Sequence, residues 1–224
     1  MHIDVVSDIA CPWCFIGMER LERALAETKA EATVTLHPYL LDPDGPDSGT
    51  DLRERLRQKF GGDPTPAFAN VERAARETGI PLDFTKVRMG YPTLRAHTLL
   101  RHAEAKGSQR ALSRALFGAY FLEGKNVADP AVLAEIAGPH GFSPEEVARL
   151  TSDAEELAQT RQEAEHAARS GVRGVPLFIF DGRAAISGPS RRRCSARRSA
   201  RPRAEPRDML DGACFKSMPS ASCP

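Results

Sequence analysis

No stretch of this chain approaches the ~20 consecutive apolar residues that span a bilayer, so a helical membrane anchor is not expected. The first residues carry no basic segment and no apolar core of the secretory type, and the expected compartment is therefore the cytoplasm. Charge of one sign is also missing from the total. The 31 basic and 30 acidic residues leave a net charge of +1, which gives no global reason to expect nucleic acid. Internal repeats are absent. The five cysteines include only one closely spaced pair, since Cys194, Cys214 and Cys223 are distant and irregularly placed. A structural zinc site would want a second ligand pair at suitable spacing, so no metal is expected.

What is present is concentrated near the start. Cys11-Pro12-Trp13-Cys14 follows a β-patterned segment, His2-Ile3-Asp4-Val5-Val6-Ser7, and precedes a helical pattern. Cysteines three apart at a strand-to-helix turn bring both sulfurs close to a helix N-terminus. Unpaired amides and the helix dipole favour negative charge there, and the thiolate is the form that attacks a disulfide. Cytosolic thiols are normally kept reduced, so such a pair reads as catalytic or redox-sensing rather than as a structural staple. Between the thiols, Pro12 removes a donor and Trp13 adds an apolar ring, and neither supplies a cation. Helix-end effects are thus expected to dominate any lowering of the Cys11 pKa. Asp8 stands three residues earlier, as a helix-entrance cap or a proton-handling group.

With 224 residues and 41% hydrophobic content, the chain can bury a sizeable core. The patterning predicts a helix from about Pro12 to Thr28 and a strand at residues 33–37 that Pro38 ends. Residues 50–170 read almost wholly as helices, with Leu94, Leu99, Leu112, Leu116 and Phe117 as core candidates. Their start signals are Thr50 or Asp51, Asp129-Pro130 and Ser143-Pro144-Glu145-Glu146, and the last is expected to run from about Ser152 to Ser170. Residues 175–180 read as a strand, Asp181-Gly182 as a two-residue hairpin turn, and residues 183–187 as the returning strand. This β-α-β, helical block, β-β order implies one α/β sheet domain interrupted by a helical insertion.

Asp8-x-x-Cys11-Pro12-Trp13-Cys14-Phe15-Ile16-Gly17 resembles the active-site segment of DsbA-like thioredoxin-fold oxidoreductases, specifically the FrnE type. Gly171-Val172-x-Gly174-Val175-Pro176-x-Phe178 resembles their cis-proline segment, and Arg95-Ala96-His97 is similar to another landmark of that family. The likeness covers about residues 2–188. It implies a thioredoxin fold with a helical insertion domain: residues 1–48 and 171–188 form the thioredoxin-like part and 49–170 the insertion. It also implies dithiol–disulfide exchange in which Cys11 is the exposed nucleophile and Cys14 resolves the mixed disulfide. Pro176 would follow Val175 through a cis bond, in a loop that holds a substrate strand against the cysteines, and His97 would help to shape a substrate groove. Implied partners are proteins or small molecules bearing disulfides or dithiols, with glutathione among them. No cofactor is implied.

Two other functions compete. Kappa-class glutathione transferases and 2-hydroxychromene-2-carboxylate isomerases are similar in architecture, but that class typically has Ser where Cys11 stands. A binding module would instead use the C-terminal tail as its arm. From Ser187 onward there are nine basic and three acidic residues, so a basic tail follows an acidic body. Residues 189–224 are rich in Arg, Ser, Ala and Pro, show no helical stripe and read as disordered. Relatives carry a closing amphipathic helix at this point, and the abrupt change reads as a shifted reading frame. The tail lacks the aromatic interleaving of single-strand nucleic-acid binders, and its cysteines read as incidental.

Overall fold

The computed structural model describes residues 1–188. Strand β1 (His2–Ser7) places Ile3 and Val5 on one face, both fully buried. Helix α1 (Pro12–Thr28) starts with proline in its first turn, where a missing N–H costs least. It stops at Lys29, which adopts the left-handed conformation at φ 50°. Strand β2 (Thr33–Pro38) lies parallel to β1, pairing Ile3 with Val34 and Val5 with Leu36. Strands β5 (Leu177–Phe180) and β6 (Ala184–Ser187) complete a four-stranded sheet in the order β2-β1-β5-β6, with β5 antiparallel to β1. Asp181, Gly182 and Arg183 join them, one residue more than the two-residue turn expected, since Phe180 pairs with Ala184; Asp181 and Gly182 have φ values of 49° and 63°. Positive φ at both gives a twist that matches that of the flanking strands.

Helices α2 (Leu52–Phe60), α3 (Thr65–Glu77), α4 (Leu94–Ala105), α5 (Gln109–Phe121), α6 (Pro130–Ala137), α7 (Pro144–Ser152) and α8 (Ala154–Arg169) lie between the two halves of the sheet in sequence. Their starts follow side-chain chemistry. Asp51, Asp129, Ser143 and Asp153 each accept a hydrogen bond from a backbone amide in the first turn that follows, satisfying donors that a helix end leaves without partners. The last helix begins later than its alanine-rich pattern suggested, because Asp153 breaks the run and caps α8. A two-stranded ladder, β3 (Thr50–Asp51) with β4 (Met89–Gly90), was not expected from the sequence. No helix among the described residues is long and apolar enough to cross a membrane.

The core joins sheet and helices. Leu99, Leu112, Leu116 and Phe117 are fully buried, whereas Leu25 and Leu94 are half-buried. Phe15 of α1 stacks on Phe117 of α5 with ring centroids 5.3 Å apart. At the outer margin of β2, the Gln109 side chain serves as a strand partner. Its Oε1 accepts from the Leu36 amide at 2.8 Å, and its Nε2 donates to the Leu36 carbonyl at 3.1 Å. The basic tail, with Cys194, Cys214 and Cys223, lies outside the described residues.

Candidate active site at the first strand-to-helix junction

Four residues carry the chain from β1 into α1. Cys11 occupies the cap position with extended backbone, φ −96° and ψ 112°. Its amide donates to the Asp8 carbonyl at 3.0 Å, and its own carbonyl accepts from the Cys14 and Phe15 amides. The Cys11 side chain makes no capping bond to the helix. Its Sγ instead donates to the Val175 carbonyl at 3.6 Å. The Val175–Pro176 peptide bond is cis, so two segments 164 positions apart in sequence meet at this sulfur.

The exposure expected of Cys11 is not found. Both Cys11 and Cys14 have no solvent-accessible surface and belong to the same apolar cluster as Ile9, Phe15 and Ile16. The physical reason is the approach of the Val175–Pro176 segment, itself buried, over the start of α1. Pro12 is buried, and Trp13 is half-buried against the same cluster.

Gly17 explains how close that approach is. A Cβ on Gly17 would stand 3.0 Å from Pro176 Cγ and 3.1 Å from Phe178 Cζ. A larger residue there would require Pro176 or Phe178 to give by a few tenths of an ångström. Its importance was visible only as the last position of the Cys11–Gly17 motif; nothing in its own spacing announces a contact with residue 176.

Asp8 does not cap α1. Its carboxylate is a buried hub, with Oδ1 accepting from the Ala10 amide (3.1 Å), the Thr93 hydroxyl (2.6 Å) and His97 Nε2 (3.4 Å). Oδ2 accepts from the Leu41 amide at 2.7 Å. Burial pushes this carboxyl's pKa up, but His97, Thr93 and the Leu41 amide outweigh it and hold the group below its ordinary value. Asp8 thus binds the cysteine loop to the segment after β2 and to α4. Thr93 and the Leu41 amide carry no sequence signal for this role. His97 is buried, not part of an open groove beside the sulfurs. Arg95, two residues earlier, spans Asp47, the Ala128 carbonyl and the Thr151 carbonyl, and so clamps the helical region rather than reaching the cysteines.

Comparison with known proteins agrees with this architecture. A family model described as a DSBA-like thioredoxin domain matches residues 2–196. A probable DsbA oxidoreductase from Streptomyces coelicolor is 28% identical, with a TM-score of 0.80 over 92% of this chain and 93% of that one. A 2-hydroxychromene-2-carboxylate isomerase, 20% identical, superimposes with a TM-score of 0.69 over 89% of this chain and 94% of its own. The cytosolic disulfide reductase DsbM from Pseudomonas aeruginosa, solved with glutathione, is 19% identical with a TM-score of 0.61, covering 84% and 90%. At these identities, the last two show the fold alone.

Proposed function

The chain belongs to the DSBA-like thioredoxin domain family, whose members are disulfide oxidoreductases or related isomerases, and from that premise we propose that it exchanges disulfides through Cys11 and Cys14. The observation that carries this reading is the meeting of Cys11 Sγ with the Val175 carbonyl beside the cis-proline. The Cys11 thiolate attacks one sulfur of a substrate disulfide, forming a mixed disulfide and releasing the other substrate sulfur as a thiolate that takes up a proton. The Cys14 thiolate then attacks Cys11 Sγ, which frees the second substrate thiol and leaves Cys11–Cys14 oxidised. The reverse sequence oxidises a dithiol. Because Cys11 is covered, the Val175 carbonyl must give up Sγ before a substrate sulfur can reach it.

In this proposal Val175 and Pro176 hold the substrate segment, Pro12 and Trp13 shape the space between the thiols, and Asp8 with His97 anchors the loop that presents Cys11. Substrates are disulfide- or dithiol-bearing proteins or small molecules. Glutathione is included because the related fold of DsbM was solved with it. Residues 1–48 and 171–188 form the redox unit and 49–170 the insertion, and the cytoplasm is the assigned compartment.

An insulin-reduction assay tests the reading. Cys11→Ser is expected to fall to the uncatalysed background, and Cys14→Ser to accumulate a mixed disulfide on Cys11 that mass spectrometry detects. Undiminished turnover by Cys11→Ser would refute the proposal. Activity that needs glutathione and survives Cys14→Ser would favour the isomerase-like alternative.

A further inference from the structure

The segment between α8 and β5 is held unevenly. From Pro176 onward the sheet fixes it: the Gly188 amide donates to the Pro176 carbonyl at 2.8 Å, and Leu177 pairs with Val6 and Ser187. Upstream, α8 ends at Arg169. Among the described residues, the amides of Val172, Arg173 and Gly174 donate no hydrogen bond. A Cβ on Gly171 or Gly174 would meet nothing within 4 Å, and Val172 is half-buried against the core. This loosely packed stretch ends on a fully covered sulfur, to which the bond from Cys11 Sγ to the Val175 carbonyl joins it.

That bond has a chemical condition. Both cysteines are reduced here, and the thiol hydrogen of Cys11 is what the Val175 carbonyl accepts. Oxidation passes two electrons from the two sulfurs to a substrate disulfide. The Cys11–Cys14 S–S bond forms, the substrate S–S bond breaks, and the two thiol hydrogens leave as protons taken up by the substrate sulfurs. Sγ of Cys11 then presents only lone pairs to the carbonyl oxygen. A buried carbonyl that loses a donor is destabilised, and water supplies a new donor if the segment moves outward.

We propose that the Val175 carbonyl is a redox-sensitive latch: it holds residues 171–175 over the cysteines while Cys11 carries its thiol hydrogen, and formation of the Cys11–Cys14 disulfide releases them. The latch rests on the dithiol reading of the site given above, and it adds regulation to it. The reduced form shields both thiols, and the oxidised form opens toward an incoming dithiol.

Nitrogen-15 relaxation on the full-length protein tests the latch. With excess dithiothreitol, the Gly174 and Val175 amides should have order parameters near the ~0.85 of rigid backbone. After oxidation by glutathione disulfide they should fall below ~0.6, while those of Val5 and Leu99 stay unchanged. Under reducing conditions, Cys11→Ser keeps a hydroxyl donor and should match the reduced wild type. Cys11→Ala lacks a donor and should match the oxidised one. If mass spectrometry finds no Cys11–Cys14 bond after oxidation, the dithiol reading fails and the redox sensitivity of the latch fails with it. A bond that forms with unchanged order parameters, or a Cys11→Ala segment as rigid as that of Cys11→Ser, overturns the latch alone. Should Cys11→Ala also loosen Val5 and Leu99, the reduced-against-oxidised comparison of the native chain decides.

Discussion

Asp4 and Asp8 are four residues apart, and each accepts hydrogen bonds from histidine, yet they sit in opposite surroundings. Asp4 Oδ1 faces His2 and His37 at 3.0 and 2.8 Å, with side-chain exposures of 27%, 45% and 46% for the three residues. Asp8 and His97 are 1% and 3% exposed, and two amides and a hydroxyl complete the Asp8 shell. For Asp4, as for Asp8, burial pushes the pKa up, but hydrogen bonds from His37 and His2 outweigh it, and the carboxyl is held below its ordinary value. The chemistry is shared, and burial separates the consequences. Water replaces a lost partner at Asp4, but nothing replaces one at Asp8. A hydrogen bond to a carboxylate nets ~1.5–3 kcal/mol at most, and leaving buried partners unsatisfied adds a desolvation cost of ~1–3 kcal/mol or more that exposed partners escape.

The contrast can be broken most directly at Asp8. Asp8→Ala leaves His97, Thr93 and two amides without an acceptor and should lower stability by about 3 kcal/mol or more. Urea unfolding followed by the fluorescence of Trp13, the single tryptophan, reads this loss. A folded-state pKa below the unfolded one adds stability that is present above about pH 4 and lost as pH falls through the depressed value. Asp8→Ala should therefore also flatten part of the acid side of the stability profile, and an unchanged profile would show that Asp8 contributes nothing there. Thr93→Val is a smaller perturbation. It removes one donor to a charged acceptor and should cost about 2 kcal/mol. In the Asp8→Ala background the same change should cost much less, which a double-mutant cycle resolves. At the exposed cluster, Asp4→Ala should shift stability by less than about 1 kcal/mol, with an acid-side change of the same sign as at Asp8 but smaller. A loss at Asp4 equal to that at Asp8 would erase the distinction.

Local features of the fold were readable in advance. Alternation at Ile3 and Val5, the caps at Asp51, Asp129 and Ser143, and the Asp181-Gly182 turn each depend on residues within a few positions. The cysteine pair and the Val175–Pro176 segment that meets Cys11 were legible through their motifs. Features that depend on distant parts of the chain were not. Asp8 reads as a cap because Asp before a helix commonly is one, and only folding brings residues 41, 93 and 97 around it. The burial of Cys11 has the same origin. Its neighbours in sequence suggest an accessible helix start, but the cover comes from a segment beyond residue 170. The β3–β4 ladder is two residues long on each side, too short for alternation to show.

Gln109 has a consequence outside the folded molecule. A strand at the border of a sheet is a template on which another chain can lay its own backbone. Here the Leu36 rung is already occupied by a side-chain amide that mimics a peptide group. A colliding copy finds the amide and carbonyl of that rung already paired, so strand addition at Leu36 would first have to displace Gln109.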